Sequence, residues 1–105
     1  MATALPSLRQ LEFLSALAEP LNFTQAAQQC FVTQSTLSAG IQELERLLDA
    51  RLVERDRQHV RMTPLGQKVA ERGRELLSAA RDLVAIAAAE AAPMTVPRTA
   101  PAAVF

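Results

Sequence analysis

Asn22-Phe23-Thr24-Gln25-Ala26-Ala27, followed by Phe31-Val32-Thr33-Gln34-Ser35-Thr36-Leu37-Ser38 and Ile41-Gln42, reads as two short helices joined by a tight turn. Asn22 is placed to cap the first helix, and Gln25 three residues on to reach back and complete a capping box. Phe31-Val32 breaks the helical period, and Thr33 then caps a second helix. Ala27, Val32 and Leu37, five residues apart each time, are the expected buried points of the unit. Ala27 is small enough for the helices to cross closely, while Val32 and Leu37 fill the angle between them. This is the skeleton of a helix-turn-helix, a motif whose second helix lies in the DNA major groove. The turn of such a motif usually holds Gly one residue before the valine; here that position is Phe31.

Outward from this unit the chain is punctuated clearly. Ser7-Leu8-Arg9-Gln10 after Pro6 is a capping box, and Leu8, Leu11, Phe13, Leu14 and Leu17 give a first amphipathic helix ending before Pro20. The motif helices are expected over about 23–30 and 34–48. The second turns Leu37, Ile41, Leu44 and Leu48 inward and Gln34, Ser35, Ser38, Ala39, Gln42 and Glu45 outward. Leu52-Val53-Glu54-Arg55 and Val60-Arg61-Met62 are strand-like runs around the polar Asp56-Arg57-Gln58-His59, and so predict a two-stranded wing. A free hairpin is marginal in water, so the wing must pack on the helices.

Thr63-Pro64 starts a long helix, with Thr at the cap and Pro at the first helical position. It runs to about Ala92, roughly 42 Å at 1.5 Å per residue, with Gly73 as its interior weak point. Its first two turns, around Leu65 and Val69, are expected to pack on the chain's own core. Leu65, Ala79 and Ile86 form one row at heptad spacing and Val69, Leu76 and Leu83 another, which predicts a seam for a second helix. Val69, Leu76, Ala80, Leu83 and Ile86 are the candidate dimer contacts. Pro93, Pro97 and Pro101 exclude helix from the remainder. The expected organisation is a mainly α winged helix-turn-helix over 1–63, a dimerisation helix over 64–92 and a Pro-rich disordered tail over 93–105.

Half the residues are apolar, Trp and Tyr are absent, and net charge is zero. The charge is unevenly spread. Residues 1–50 carry a balance of −3, residues 51–74 one of +4 and residues 75–105 one of −1. A basic segment beside a helix-turn-helix is the footprint of a phosphate-binding wing, and ten of the eleven basic residues are Arg, which suits forked phosphate contacts. No apolar run approaches the ~20 residues that cross a bilayer, so no membrane role is expected. One Cys and one His make a metal site improbable, and no cofactor is implied. Cys30 is expected to be a buried, inert thiol, and His59 an exposed turn residue. There is no Gly-rich phosphate loop, no nucleophile–base set and no paired carboxylates, which argues against an enzyme.

These blocks together resemble the N-terminal DNA-binding domain of LysR-type transcriptional regulators over roughly residues 7–91. The resemblance rests on Leu8-Arg9-Gln10-Leu11-Glu12-Phe13, Asn22 to Ala27, Val32 to Ser38, Ile41-Gln42-Glu43-Leu44-Glu45, Leu52 to Arg55 and Thr63-Pro64-Leu65-Gly66. Thr36-Leu37-Ser38 and the position of Cys30 look most like the peroxide-responsive branch. The resemblance implies a cytoplasmic, nucleoid-associated bacterial protein that binds double-stranded DNA as a homodimer. Its linker helices would pair antiparallel, and the family's full-length dimers often assemble further into tetramers. Carried over, Gln34, Ser35, Thr36 and Ser38 face the groove, with Thr24, Thr33 and Gln42 beside them, and Arg55 and Arg57 are wing contacts.

The family commonly has Pro where this chain has Ser35 and Arg where it has Ala39, which shifts phosphate contact toward the wing. Family members also continue into an effector domain of the periplasmic-binding-protein type, and the tail here does not read as its opening strand. The chain is thus expected to be a truncated regulator, a stand-alone DNA-binding domain or a fragment.

Each signal has a plainer reading. The row on the second motif helix is also what a solvated face looks like, although such faces usually use Lys and Glu. The Arg cluster also keeps an edge hairpin soluble, and Glu54 and Asp56 flank Arg55. The alternative function is a protein-interaction module that forms mixed dimers with full-length regulators through the long helix.

Overall fold

The computed structural model describes residues 4–91 as four helices and one hairpin: α1 (Leu8–Ala18), α2 (Phe23–Gln29), α3 (Gln34–Leu48), β1 (Val53–Arg55), β2 (Val60–Met62) and α4 (Pro64–Ala91). The Pro-rich tail expected from residue 93, and position 92 of the long helix, lie outside the described residues. The described elements form a winged helix-turn-helix with a long C-terminal helix.

Local chemistry sets each boundary. Both bonds of the capping box form at Ser7 and Gln10, starting α1. Asn22 Oδ1 accepts from the Gln25 backbone N–H at 2.9 Å, but the return bond from the Gln25 side chain is absent among the described residues. Only half of the expected box forms there, and the Gln25 side chain stands exposed. The turn between α2 and α3 closes through Phe31 N–H to Gln28 O and Val32 N–H to Ala27 O, at 3.2 and 3.0 Å. Phe31 sits at φ 59°, the left-handed conformation that Gly would take more easily, with its ring 92% exposed. Thr33 then caps α3, its hydroxyl accepting from Thr36 N–H at 3.1 Å.

Ala27 and Leu37 are buried and Val32 packs half-buried against the core, as the five-residue spacing requires. The core joins Leu11, Phe13, Leu14 and Leu17 of α1 to Phe23, Ala26 and Ala27 of α2 and Leu37, Ile41 and Leu44 of α3. Leu52 and Val53 close it from the wing side. Leu8, expected in the α1 stripe, is instead 51% exposed. It stands at the first helical position, beside Leu77, Ala80 and Val84 of α4, along a shallow groove.

The long helix packs chiefly on α1, by a different face from the one expected. Gly66, Ala70, Gly73 and Leu77 are its buried residues, while Leu65 is 46% exposed. Gly66, Ala70 and Gly73, at four- and three-residue steps, let α4 lie close to the rest of the fold, Leu77 continues that face one turn on, and Leu65 and Leu76 are left outside it. Val69 packs partly against the core and Ala80 is half-buried. Leu76, Leu83 and Ile86 are 46%, 67% and 65% exposed.

The wing is antiparallel, with Val53 opposite Met62, Glu54 opposite Arg61 and Arg55 opposite Val60. Its root is held by Glu45, placed above on the outward face of α3. Glu45 Oε2 accepts from the backbone N–H groups of Leu52 and Val53 at 2.7 and 3.1 Å. Both donors belong to buried residues, so removing the carboxylate leaves two N–H groups without an acceptor. Glu45→Ala is expected to destabilise the fold by about 2–3 kcal/mol in urea melts, and Glu45→Gln, which keeps an oxygen, by about half that. Equal stability of Glu45→Ala and the parent chain would show that the wing root is held otherwise.

Candidate nucleic-acid interface

The face of α3 turned from the core carries the uncharged row. Gln34, Ser35, Thr36 and Gln42 are exposed and Ser38 half-buried. Packing of Leu37, Ile41 and Leu44 leaves these side chains no other direction. Thr24, in the first turn of α2, is exposed beside them, and its hydroxyl donates to Gln34 Oε1 at 3.2 Å. Thr33 Oγ1 donates to Thr36 Oγ1 at 3.0 Å, so Thr33 works as a cap and Thr36 keeps its own proton for a further bond.

Arg55 lies where α3 and the wing meet. Its Nη2 donates to Ser38 Oγ at 3.0 Å and its guanidinium sits 4.3 Å from the centre of the Phe23 ring. Glu54 and Asp56, its sequence neighbours, do not hold it. Glu54 faces Arg61 across the sheet at 3.8 Å, and Asp56 Oδ1 accepts from the backbone N–H groups of Gln58 and His59 at 2.9 and 2.8 Å. Those two backbone bonds hold the Asp56 carboxyl below its ordinary pKa and fix the wing turn. Arg57 and His59 stand exposed in that turn. Between α3 and the wing lies a cleft of about 250 Å³ whose lining includes Phe23, Ser38, Gln42, Arg51 and Arg55. The structure thus brings Thr24, Gln34, Ser38, Gln42 and Arg55 together on one surface, with Arg57 standing out at the wing turn.

Three contributors were not visible in the sequence pattern. Phe23 reads as an apolar core residue, yet its ring also supports Arg55. Glu45 reads as surface, yet it anchors the wing. Arg9 reads as part of a cap, yet its Nη2 donates to the Cys30 carbonyl at 2.7 Å while Arg9 also pairs with Glu12, which ties the end of α2 to α1. Cys30 itself is buried, and burial pushes its thiol pKa up, with Arg9 pulling partly back. A raised thiol is mostly protonated and unreactive. Among the described residues no cluster of three His, Cys, Asp or Glu side chains could hold a metal ion, and no helix is long and apolar enough to cross a membrane.

The profile of the bacterial regulatory helix-turn-helix proteins of the lysR family matches residues 8–67. The chain belongs to the LysR family. It is 60% identical over 92 residues to the HTH-type transcriptional regulator EstR of Acinetobacter baylyi, covering 88% of this chain and 31% of EstR. Its fold matches full-length OxyR C199D from Pseudomonas aeruginosa with a TM-score of 0.77 at 34% identity, over 79% of this chain and 28% of that one. The BenM DNA-binding domain in complex with benA site 1 DNA matches with a TM-score of 0.74 at 34% identity, over 81% and 96%. This LysR-family chain therefore spans about a third of the length of the curated relatives it matches. It also shares 36–38% identity with hydrogen peroxide-inducible activators, among them that of Streptomyces viridosporus, over 86–87% of this chain.

Proposed function

We propose that this LysR-type domain binds double-stranded DNA sequence-specifically as a homodimer, with α3 in the major groove and the Arg-bearing wing on the adjacent backbone and minor groove. The carrying observation is the exposed row Gln34, Ser35, Thr36, Ser38 and Gln42 on a helix whose other face is core. An α-helix fits the major groove, and short uncharged hydrogen-bonding side chains suit base edges. The BenM domain of the same fold, seen with DNA, supports the reading. Arg55, held against Ser38 and Phe23, is pre-positioned for a phosphate at the groove edge, and Arg57 reaches from the wing turn. Thr24 and Thr33 contribute hydroxyls at the start of each motif helix. The exposed Leu76, Leu83 and Ile86, with Val69 and Ala80 beside them, make the dimer seam of α4.

Selection from a pool of random duplexes at two salt concentrations tests this. The expected result is a two-fold-symmetric motif, with log affinity falling by about 0.9 per neutralised phosphate per decade of salt. Arg55→Ala and Arg57→Ala should weaken all sequences alike and flatten that slope. Gln34→Ala should relax preference at one base pair per half-site, by roughly 1–3 kcal/mol. Absence of binding at low salt, or an unchanged preference in Gln34→Ala, counts against the assignment of α3.

A further inference from the structure

We propose that Thr24 selects the base that Gln34 reads, by holding the Gln34 carboxamide so that its nitrogen leads into the groove; this rests on α3 being the recognition helix. Thr24 and Gln34 are ten residues apart and are brought together by the turn of the motif. The Thr24 hydroxyl donates its single proton to Gln34 Oε1 at 3.2 Å. A carboxamide is planar, so drawing Oε1 toward α2 turns Nε2 the other way. Nε2 has no protein partner among the described residues, and both its hydrogens stay available.

This changes what the side chain can recognise. A free Gln reads adenine by presenting oxygen and nitrogen side by side, the oxygen accepting from N6 and the nitrogen donating to N7. Oε1 keeps a second lone pair, but with the oxygen drawn toward Thr24 the nitrogen leads, so the group that first meets the base edge is a donor. Guanine offers two adjacent acceptors in the major groove, N7 and O6, which match it. Adenine N6 and cytosine N4 are donors and would face a donor across the contact. Thr24 is thus a positioning residue: it acts through Gln34, and its effect is on base preference.

Duplex selection with the full chain, Thr24→Ala, Thr24→Ser and Gln34→Ala tests the pair. The relevant position is the one whose preference Gln34→Ala changes. There the parent chain should favour guanine over adenine by at least about fivefold. Thr24→Ala should bring adenine level or ahead, and Thr24→Ser, which keeps the hydroxyl, should restore guanine. Adenine preference in the parent, or a Thr24→Ala chain that loses affinity for all sequences without moving the preference, overturns the inference and leaves the α3 assignment standing. No change at any position in Gln34→Ala overturns the α3 assignment itself, and this inference with it.

Discussion

Gly66→Ala is expected to destabilise the protein by about 3 kcal/mol or more, while Gly73→Ala, seven residues along the same helix, stabilises it by about 0.5–1 kcal/mol. A Cβ built on Gly66 would lie 2.0 Å from the Leu52 carbonyl oxygen and 2.9 Å from its carbon. The obstacle is backbone, so no rotamer change relieves it. That carbonyl also accepts from the Thr63 backbone N–H at 3.0 Å, and Leu52 N–H is held by Glu45. The residue that must move is therefore fixed at both its carbonyl and its N–H. Separating α4 from the wing root would also expose Leu52, which is fully buried. The gain of about 1 kcal/mol that Ala brings to a helix interior does not offset this.

At Gly73 the nearest atoms to a built Cβ are Leu11 side-chain carbons at 3.5 Å, ordinary van der Waals contact. There the propensity term stands unopposed. For a domain of this size the two variants should melt roughly 12 °C or more below, and a few degrees above, the parent chain. Thermal unfolding followed by circular dichroism reads both. A Gly66→Ala melting point within about 3 °C of the parent would mean that α4 does not seat against Leu52.

The contrast between these glycines also marks how far the sequence could be read. Capping residues and apolar periodicity are local signals, and Ser7, Asn22, Thr33 and Pro64 place every helix start where the structure has it. The wing was legible because β-branched and polar runs alternate around a short polar turn. The face of α4 that meets the rest of the fold was not legible, because it is written in small residues, Gly66, Ala70 and Gly73, which carry little hydrophobic signal. Pattern reading follows bulk, and bulk selected Leu65, which lies outside the contact. The same limit applies at the candidate interface. The exposed row on α3 follows from the helical period, but the turn of Arg55 onto Phe23 and Ser38 depends on distances between elements.

The double substitution Leu76→Glu with Leu83→Glu is expected to convert the proposed dimer to a monomer and to lower affinity for a two-fold DNA site at least a hundredfold. The two leucines are 46% and 67% exposed and are followed by Val84 and Ile86 at 66% and 65%, an apolar strip that the chain's own core does not cover. In a pair of helices each leucine would be buried twice, once per protomer. Little more than half of each leucine remains to be buried, so at about 1.5–3 kcal/mol per fully buried side chain the four together account for roughly 3–7 kcal/mol of association, and four carboxylates in the seam add repulsion. Because neither leucine belongs to the core, the monomer should keep its helical content, and any change in melting should follow protein concentration. Loss of DNA affinity then follows from valency. Two linked half-site contacts bind 10²- to 10⁴-fold more tightly than one, with linker geometry setting the factor. Sedimentation and duplex selection on the same variant separate the causes. A monomer that enriches a single half-site motif places the seam on α4. A variant that stays dimeric with unchanged affinity would put the dimer contact elsewhere, for example along the groove between Leu8 and Val84.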